Sequence, residues 1–550
     1  MIINRKLIWL TIGLAIFING LGIFEPLLRN DDPLLYANIA KHMVLTNNWI
    51  DLFSAGQPWL DKPHFPFWIT ALSFKIFGIN SFAYFLPGFF FHLLGAVYTY
   101  RLAKLIYSSD EVALIALLIY VTSIHLLLSA SIDVRAEAYL LGQIMPACYY
   151  WLRYDYKCDV KSLILASLFT GLAMMTKGIF VVVTIFSGLV ITWLYRKQYT
   201  RIISRQWLIA YVLSLVFILP ELICLYLQFD AHPNAVVFGR THVSGLEWYF
   251  WGSQFGRFFN SGPIVNNHGN PFFFVHTFLW AFLPWSLVFI AATYQSIRHF
   301  RTDSTVNKSK TVYLWASFWL TFIMFSATKF QLDHYTNIIM PFAAIICANY
   351  LSKILKLSTI AKVQFGLSVL ILILAIGANL YLFHFAWLML YAIIPAVLII
   401  VFFRVKSLSY LERAIVFPSI AISIFFAFAL IVNLAICRTY DVGYNLAKFL
   451  NKQVAAPVFD LNSGWSALEF YSQNQYTAVH DKAELPKSGD YYLVMKNSAL
   501  NDNQYSLDNS QYTPKTTFCG NTIDRVIPYY ATPAKLQEHL ECFVVLQHKG

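Results

Sequence analysis

The first residues of the chain that could do chemistry are two carboxylates, Asp31 and Asp32, set before Pro33 in the stretch NDDPLLYANIAKHM. They stand where the apolar run that begins at Leu7 gives out. One aspartate before a proline is a good helix start, because its carboxylate accepts from the unpaired N–H groups of the first turn. Capping does not need the second aspartate, nor the acidic residue that recurs in Asp61-Lys62-Pro63-His64. Lys62 has a plain use, contact with lipid headgroups. It also has a sharper one, neutralising a phosphate that departs as a leaving group. Arg257 and Lys329 could serve the same anion. Further charges sit near the ends of apolar runs: Asp133, Arg135 and Glu137 in SIDVRAEAYL, Lys177 in MTKG, and Asp333 with His334 in KFQLDHY. Ionisable groups at membrane depth are costly and face a cavity or one another. Asp133 and Arg135 also read as a simple local pair. His92, His125 and His276 lie inside apolar runs, where packing or a hydrogen bond explains them better than a metal does. The signatures of zinc proteases, P-loop ATPases and dinucleotide enzymes do not occur.

Such residues need a scaffold, and the composition says which kind. The chain of 550 residues is 58% hydrophobic and 12% charged, with a mean hydropathy of +0.57. That is too apolar for an ordinary soluble surface. A span needs about 20 apolar residues, and about thirteen such runs can be marked between Leu7 and Ile436. The expected class is an all-α polytopic membrane protein. The first run is too long for a signal-peptide core and has no small-residue cleavage site behind it, so it reads as a retained span.

Basic residues cluster on alternate loops, as at Arg196, Lys197, Arg201 and Arg205, and again at Arg298, Arg301, Lys308 and Lys310. By the positive-inside rule these loops and the N-terminus are cytoplasmic. The net charge of +12 then reflects topology and contact with anionic lipid, and no nucleic-acid module is visible. An odd number of spans puts everything after Ile436 outside.

Two outward segments are long, 29–80 and 230–270. In the first, PLLYANIAKHMVLT and FPFWITALSFKIFG have helical spacing and read as amphipathic helices lying in the interface. They would form a shelf carrying Asp31, Asp32, Asp61 and Lys62 at headgroup height. From about Arg438 the pattern changes to short strands, APVFDLN and YYLVMKN, alternating with helical pieces, YNLAKFLNK and TPAKLQEHL. The division is therefore a transmembrane part over 1–437 and a small outward α/β domain over 438–550. Cys519 and Cys542 share that domain, and in an oxidising periplasm a disulfide between them is expected, with Cys437 as the rival partner.

The arrangement resembles the family 39 glycosyltransferases with the GT-C membrane fold, among them lipid A aminoarabinose transferases and protein O-mannosyltransferases. The family pattern has an acidic residue, three residues and Tyr-Ala, then a tryptophan, an acidic-Lys-Pro triplet and a further tryptophan. Here these are Asp32, Tyr36, Ala37, Trp49, Asp61-Lys62-Pro63 and Trp68. The likeness continues through Lys177-Gly178, through RFFNSGPIVNNHGNPFFFVHTFLWAFLPW and through KFQLDHYTNIIMP. There are departures. Pro33 stands where a second acidic residue is usual, Leu35 where an arginine is frequent, and Ser253-Gln254 where the aminoarabinose transferases tend to carry Glu-His.

The resemblance implies a sugar donor on undecaprenyl phosphate, used on the periplasmic side with inversion by a monomer of the bacterial inner membrane. It places Asp32 at the catalytic position and Lys62, with Arg257 and Lys329, at the donor phosphate. Asp31, Tyr36, Asp61, His64, Asp133, Arg135, Lys177, His268, His334 and Tyr335 are then expected around the substrates. In some relatives a histidine at the Gln254 position and an acid at the Asp61 position hold a metal; with Gln254 that ligand pair is incomplete, and no metal ligand is assigned. An aminosugar, aminoarabinose or a hexosamine such as galactosamine, moved to lipid A is the preferred reaction. Mannosyl transfer to protein is the alternative. A polyprenyl-sugar flippase would share the spans and the cationic loops, but would not need the Asp32 and Lys62 constellation.

Overall fold

The computed structural model describes residues 3–28, 32–266, 269–353, 357–383, 397, 400, 401, 404, 407–501 and 511–549. Within these the apolar runs are helices. The N-terminal half comprises α1 (Arg5–Leu21), α2 (Asp32–Thr46), α3 (Phe65–Phe77), α4 (Ser81–Tyr107), α5 (Asp110–Val121), α6 (Ile124–Ser131), α7 (Ala136–Lys157), α8 (Val160–Lys177) and α9 (Val181–Tyr195). Longer helices follow at Thr305–Ala327, Leu357–Ala378 and Tyr410–Tyr440. The last of these is started by a capping box at Ser409, whose Glu412 also accepts from the backbone N–H of Asn4 at 2.6 Å, pinning the start of the chain to the final span.

Among the described residues five helices are long and apolar enough to cross a membrane alone: Arg5–Phe24, Ser81–Tyr107, Val160–Lys177, Leu357–Tyr381 and Tyr410–Tyr440. Three bent pairs, one of them α5 with α6 at 62°, raise the number to eight. That is fewer than the expected thirteen or so, for physical reasons. Helix α7 is 22 residues long yet carries Glu137, Arg153, Asp155 and Lys157, and nearly all of it is buried among its neighbours. A helix wrapped by other helices has no need of an apolar outer surface. Helix α9 is apolar but has only 15 residues. A further stretch, 384–406, lies mostly outside the described residues.

The shelf differs from its expectation in one respect. Helix α3 keeps Leu72, Ile76 and Phe77 exposed, as a lipid-facing helix should. Helix α2 instead buries Leu34, Tyr36, Ala37, Ile39, Ala40 and Met43 between α3 and the C-terminal helix Ser466–Tyr471. Its polar residues are spent on that second contact. The Asn38 amide donates to the Ser466 carbonyl at 2.9 Å, and the Lys41 ammonium donates to the carbonyls of Glu469, Phe470 and Ser472 at 2.6, 3.1 and 3.0 Å. A two-stranded hairpin, β1 (Phe53–Ser54) with β2 (Gln57–Pro58), joins α2 to α3.

Three ties fix the shelf. The Trp68 indole donates to the Trp49 carbonyl at 2.7 Å, and Gln228 makes a two-way bond to the backbone of Leu52. The third is between His64 and Glu221, both sealed from solvent: the Glu221 carboxylate accepts from the His64 backbone N–H and lies 3.0 Å from its Nδ1.

After Tyr440 the chain forms the small α/β domain read from its alternating pattern. Five strands, β3 (Val458–Leu461), β4 (Tyr476–Val479), β5 (Tyr491–Lys496), β6 (Tyr512–Gly520) and β7 (Glu541–His548), make one sheet in the order β4-β3-β5-β7-β6. Strands β4, β3 and β5 run parallel, while β7 is antiparallel to both β5 and β6. Cys519 and Cys542 face each other across β6 and β7 and are joined by a disulfide, so the rival Cys437 takes no part in it.

Candidate functional site

Most of the charged residues singled out in the sequence sit at or near helix ends, and these ends converge. Asp32 opens α2. Arg135 is the residue before α7, with Asp133 two positions earlier. Asp61 and Lys62 lie in the turn before α3, and Lys177 is the last residue of α8. Arg257 belongs to the helix Ser253–Phe259, and His334 and Tyr335 to the 3-10 turn Asp333–Ile339. Helix ends expose side chains without breaking backbone hydrogen bonds inside the apolar layer.

The charges form a linked network. Asp61 is shared by Lys62, at 2.5 Å, and by Arg257, which crosses from the second long segment to reach it. Arg135 bridges Asp133 at 2.8 Å and Asp32 at 3.5 Å. Lys177 pairs with Glu137, and both side chains are almost completely buried. The Lys177 ammonium also sits 4.2 Å from the ring centre of Tyr335, a cation–π contact. Electrostatic interactions connect Lys177 with Lys62, Arg257, Asp32 and Arg135, so the pairs belong to one site. Four cations, Lys62, Arg135, Lys177 and Arg257, stand against four carboxylates, Asp32, Asp61, Asp133 and Glu137. Burial opposes charge on Asp61, but Lys62 and Arg257 outweigh it and hold its carboxyl below the usual range. Burial likewise opposes charge on Arg257, and Asp61 more than restores it. Burial pushes the Tyr335 phenol up to about 12.

Beside the network runs an apolar groove of about 440 Å³. Ile179, Phe180, Val182 and Val183 form one wall, Phe255 and Phe258 another, and Met324, Phe325 and Phe330 a third. Lys177, Arg257 and Tyr335 also line it, so an apolar trough ends at cations. Gly178 closes α8 with φ +94°, a left-handed conformation that suits glycine. A Cβ there would stand 2.2 Å from the Gln254 amide, so glycine also makes room for the groove wall.

Some expected residues fall elsewhere. The Lys329 side chain is exposed and does not line the groove, although its backbone N–H donates to the Phe258 carbonyl at 2.9 Å. His64 is buried in its tie to Glu221 and to the Ile50 carbonyl, where it holds the loop that carries Lys62. Tyr36 is buried, with its ring edge-on to Phe67 at 5.2 Å, and interacts electrostatically with Asp32 and Asp61. His334 is buried 3.2 Å from Asp333 and 3.8 Å from Glu137. Burial lowers its pKa, only partly offset by Asp333. Asp31 and His268 lie outside the described residues.

Glu137 and Glu221 were not assigned to the site from the sequence. Glu137 partners Lys177 at the groove, and Glu221 anchors the Lys62 loop. The signal was present in both cases, an acidic residue inside an apolar run, which needs a partner to be tolerated.

A divalent ion does not fit the Asp61 position. Its two oxygens are taken by Lys62 and Arg257, and the Gln254 amide is turned to the Ser253 hydroxyl at 2.6 Å. Among the described residues no group of three or more His, Cys, Asp or Glu side chains is placed to hold a metal.

The chain superposes on the crystal structure of ArnT from Cupriavidus metallidurans bound to undecaprenyl phosphate with a TM-score of 0.77, over 99% of this chain and 98% of that one, at 15% identity. The fold is GT-C. The apo form of the same protein matches with a TM-score of 0.72 over 90% of this chain and 94% of that one, again at 15% identity. Residues 61–224 match the family described as dolichyl-phosphate-mannose-protein mannosyltransferase. Two curated relatives are undecaprenyl phosphate-alpha-4-amino-4-deoxy-L-arabinose arabinosyl transferases, from Proteus mirabilis and Edwardsiella ictaluri. The first is 26% identical over 59% of this chain and 55% of its own length, the second 24% identical over 60% and 56%. The chain thus spans just over half the length of these relatives. In this GT-C chain the shelf helices, the end of α8 and the segment around Arg257 bring the charged network to the mouth of the groove.

Proposed function

We propose that the protein is a multi-pass inner-membrane glycosyltransferase that moves an aminosugar from undecaprenyl phosphate to lipid A on the periplasmic side, with inversion. The observation that carries this reading is the apolar groove whose end is lined by Lys177 and Arg257 and which abuts the Lys62 and Asp61 pair. A polyprenyl chain needs the trough and its phosphate needs the cations.

The charge balance suggests how the site works. The donor is a phosphodiester with one negative charge. As the bond from the sugar C1 to the phosphate oxygen breaks, the departing undecaprenyl phosphate gains a second charge, since a phosphate monoester has its second pKa near 6. Lys62, Arg257 and Lys177 therefore bind the leaving group more strongly than the substrate, which is what accelerates a reaction. They are paired to Asp61 and Glu137 beforehand, so the entering phosphate exchanges one anionic partner for another. The acceptor oxygen attacks C1 from the opposite face. Asp32, held by Arg135, orients that acceptor and stabilises the positive charge on the sugar ring. A lipid A phosphate arrives ionised and needs no strong base, whereas a hydroxyl acceptor would pass its proton to Asp32.

Mannosyl transfer from a polyprenyl phosphate to a protein hydroxyl is the second reading, favoured by the family match over residues 61–224. Mass spectrometry of lipid A from cells with the protein, without it, and with Asp32→Asn separates the two. One added aminosugar mass, absent from the variant, supports the first reading. Unchanged lipid A removes it and leaves a protein acceptor. Turnover by purified protein with donor and acceptor lipids alone excludes a flippase.

A further inference from the structure

A second cavity, of about 950 Å³, lies away from the groove, where the ends of α1 and α4 meet the C-terminal domain. Its apolar side is Phe24 and Phe82, stacked 5.4 Å apart at the outer ends of two membrane-crossing helices, with Leu45 and Ile79 beside them. Its opposite side, from the C-terminal domain, is rich in amides and carries two exposed lysines, Lys448 and Lys452. Lys41 also lines it, but its ammonium is already held by three carbonyls.

Two lining groups are left over. Glu25 is 6% exposed, and among the described residues its Oε1 has no hydrogen-bond partner. The same holds for the amide nitrogen of Asn474. An unpaired buried acceptor and donor in one cavity cost free energy unless something fills them. Burial also pushes the Glu25 carboxyl up to about 7, against the pull of Arg438.

We infer that this cavity binds the anionic, hydroxyl-bearing headgroup of an outer-leaflet lipid, with Lys448 and Lys452 facing the phosphate, Glu25 and Asn474 the hydroxyls, and Phe24 and Phe82 the start of the acyl chains. A lipid rather than a soluble molecule is indicated by position: the cavity lies where two spans end, at headgroup height, with an aromatic side that a free phosphate would not use. The site does not depend on the transfer reaction, because Asp32, Lys62 and Arg257 are not part of it.

The test uses the full-length protein, delipidated in detergent, and native mass spectrometry with four probes: phosphatidylglycerol, phosphatidic acid, phosphatidylcholine and free glycerol phosphate. The expected result is one phosphatidylglycerol retained about tenfold more tightly than phosphatidylcholine, a preference that Lys448→Gln with Lys452→Gln abolishes and Arg257→Ala leaves unchanged. Both lysines are exposed, so the double variant folds, which its melting temperature checks. Glu25→Leu should erase the preference for phosphatidylglycerol over phosphatidic acid. Equal retention of phosphatidylglycerol and phosphatidylcholine overturns the inference, as does full retention by the double lysine variant or loss on Arg257→Ala, which would place the lipid in the groove. Binding of free glycerol phosphate as tight as that of phosphatidylglycerol overturns the assignment to a lipid.

Discussion

Arg257 and Asp61, 196 residues apart in sequence, form an ion pair that joins the segments 29–80 and 230–270 at the mouth of the groove. Asp61 holds Lys62 at the same time, so one carboxylate keeps two cations in place. Removing it should therefore matter before any substrate arrives. Asp61→Asn is expected to cost about 3–5 kcal/mol of stability, the penalty for leaving buried charge uncompensated. Undecaprenyl phosphate should restore more of the melting temperature in this variant than it adds to the parent. No recovery on adding the phosphate would mean that Lys62 and Arg257 do not meet it.

Substitution of the cations should act on turnover. Lys62→Ala and Arg257→Ala are each expected to lower kcat by about 10²–10³, the usual loss for one group that stabilises a developing oxyanion. Lys329→Ala, with its exposed side chain outside the groove, should change kcat less than twofold. Initial rates with purified donor and acceptor lipids check all three. A large Lys329 effect with a small Lys62 effect would reverse the assignment.

Asp32→Asn should reduce turnover by about 10²–10⁴ with little change in melting temperature. Arg135→Gln removes an ion-pair partner from both Asp32 and Asp133 and should lower turnover and stability together. Steady-state rates and thermal unfolding measured on the same preparations separate the two outcomes. Asp32→Asn protein that turns over normally would displace Asp32 from the catalytic position.

The His64 and Glu221 tie predicts a pH dependence of stability. Burial opposes a charged His64, but the Glu221 carboxylate, its hydrogen bond and the Ile50 carbonyl win, and the pKa is raised above the ordinary 6.5. A raised pKa means that the contribution is fully present below about 6.5 and is lost as pH rises through the folded value. Asp61 behaves oppositely. Its pKa is depressed, so its contribution is present above about 3.9 and is lost only in stronger acid. Melting temperatures of the parent and of Glu221→Gln should accordingly differ most near pH 6 and converge as pH rises. A constant difference up to pH 9 would show that His64 carries no charge in this tie.

Helices, the shelf and the mixed C-terminal domain were legible because each has its own hydrophobic period. Asp32, Lys62, Arg257 and Lys177 were legible because charge next to an apolar run must be explained. The apolar runs marked in the sequence outnumber the described helices that pass on length and composition alone. A hydropathy argument assumes that each crossing helix meets lipid, whereas α7 meets other helices and keeps Glu137 and Asp155. The orientation of α2 was misread for a related reason. Its Asn38 and Lys41 look solvent-facing in sequence, but they are satisfied by backbone carbonyls more than 400 residues away. Pairings such as Arg257 with Asp61 have no local signature, since they exist only once distant helix ends are brought together.

The cradle of carbonyls around Lys41 has a consequence for biosynthesis. Lys41 lies on the same rigid helix as Asp32, and its three acceptors come from the stretch 469–472, near the end of the chain. While the ribosome is still making the preceding spans, one whole side of that helix is bare and its ammonium has no carbonyl partners. The groove and the cations can be in place by then, but the helix that begins with Asp32 is not seated. On the proposed function, a nascent chain held in the membrane is therefore not ready to act until the stretch 469–472 has been made and docked.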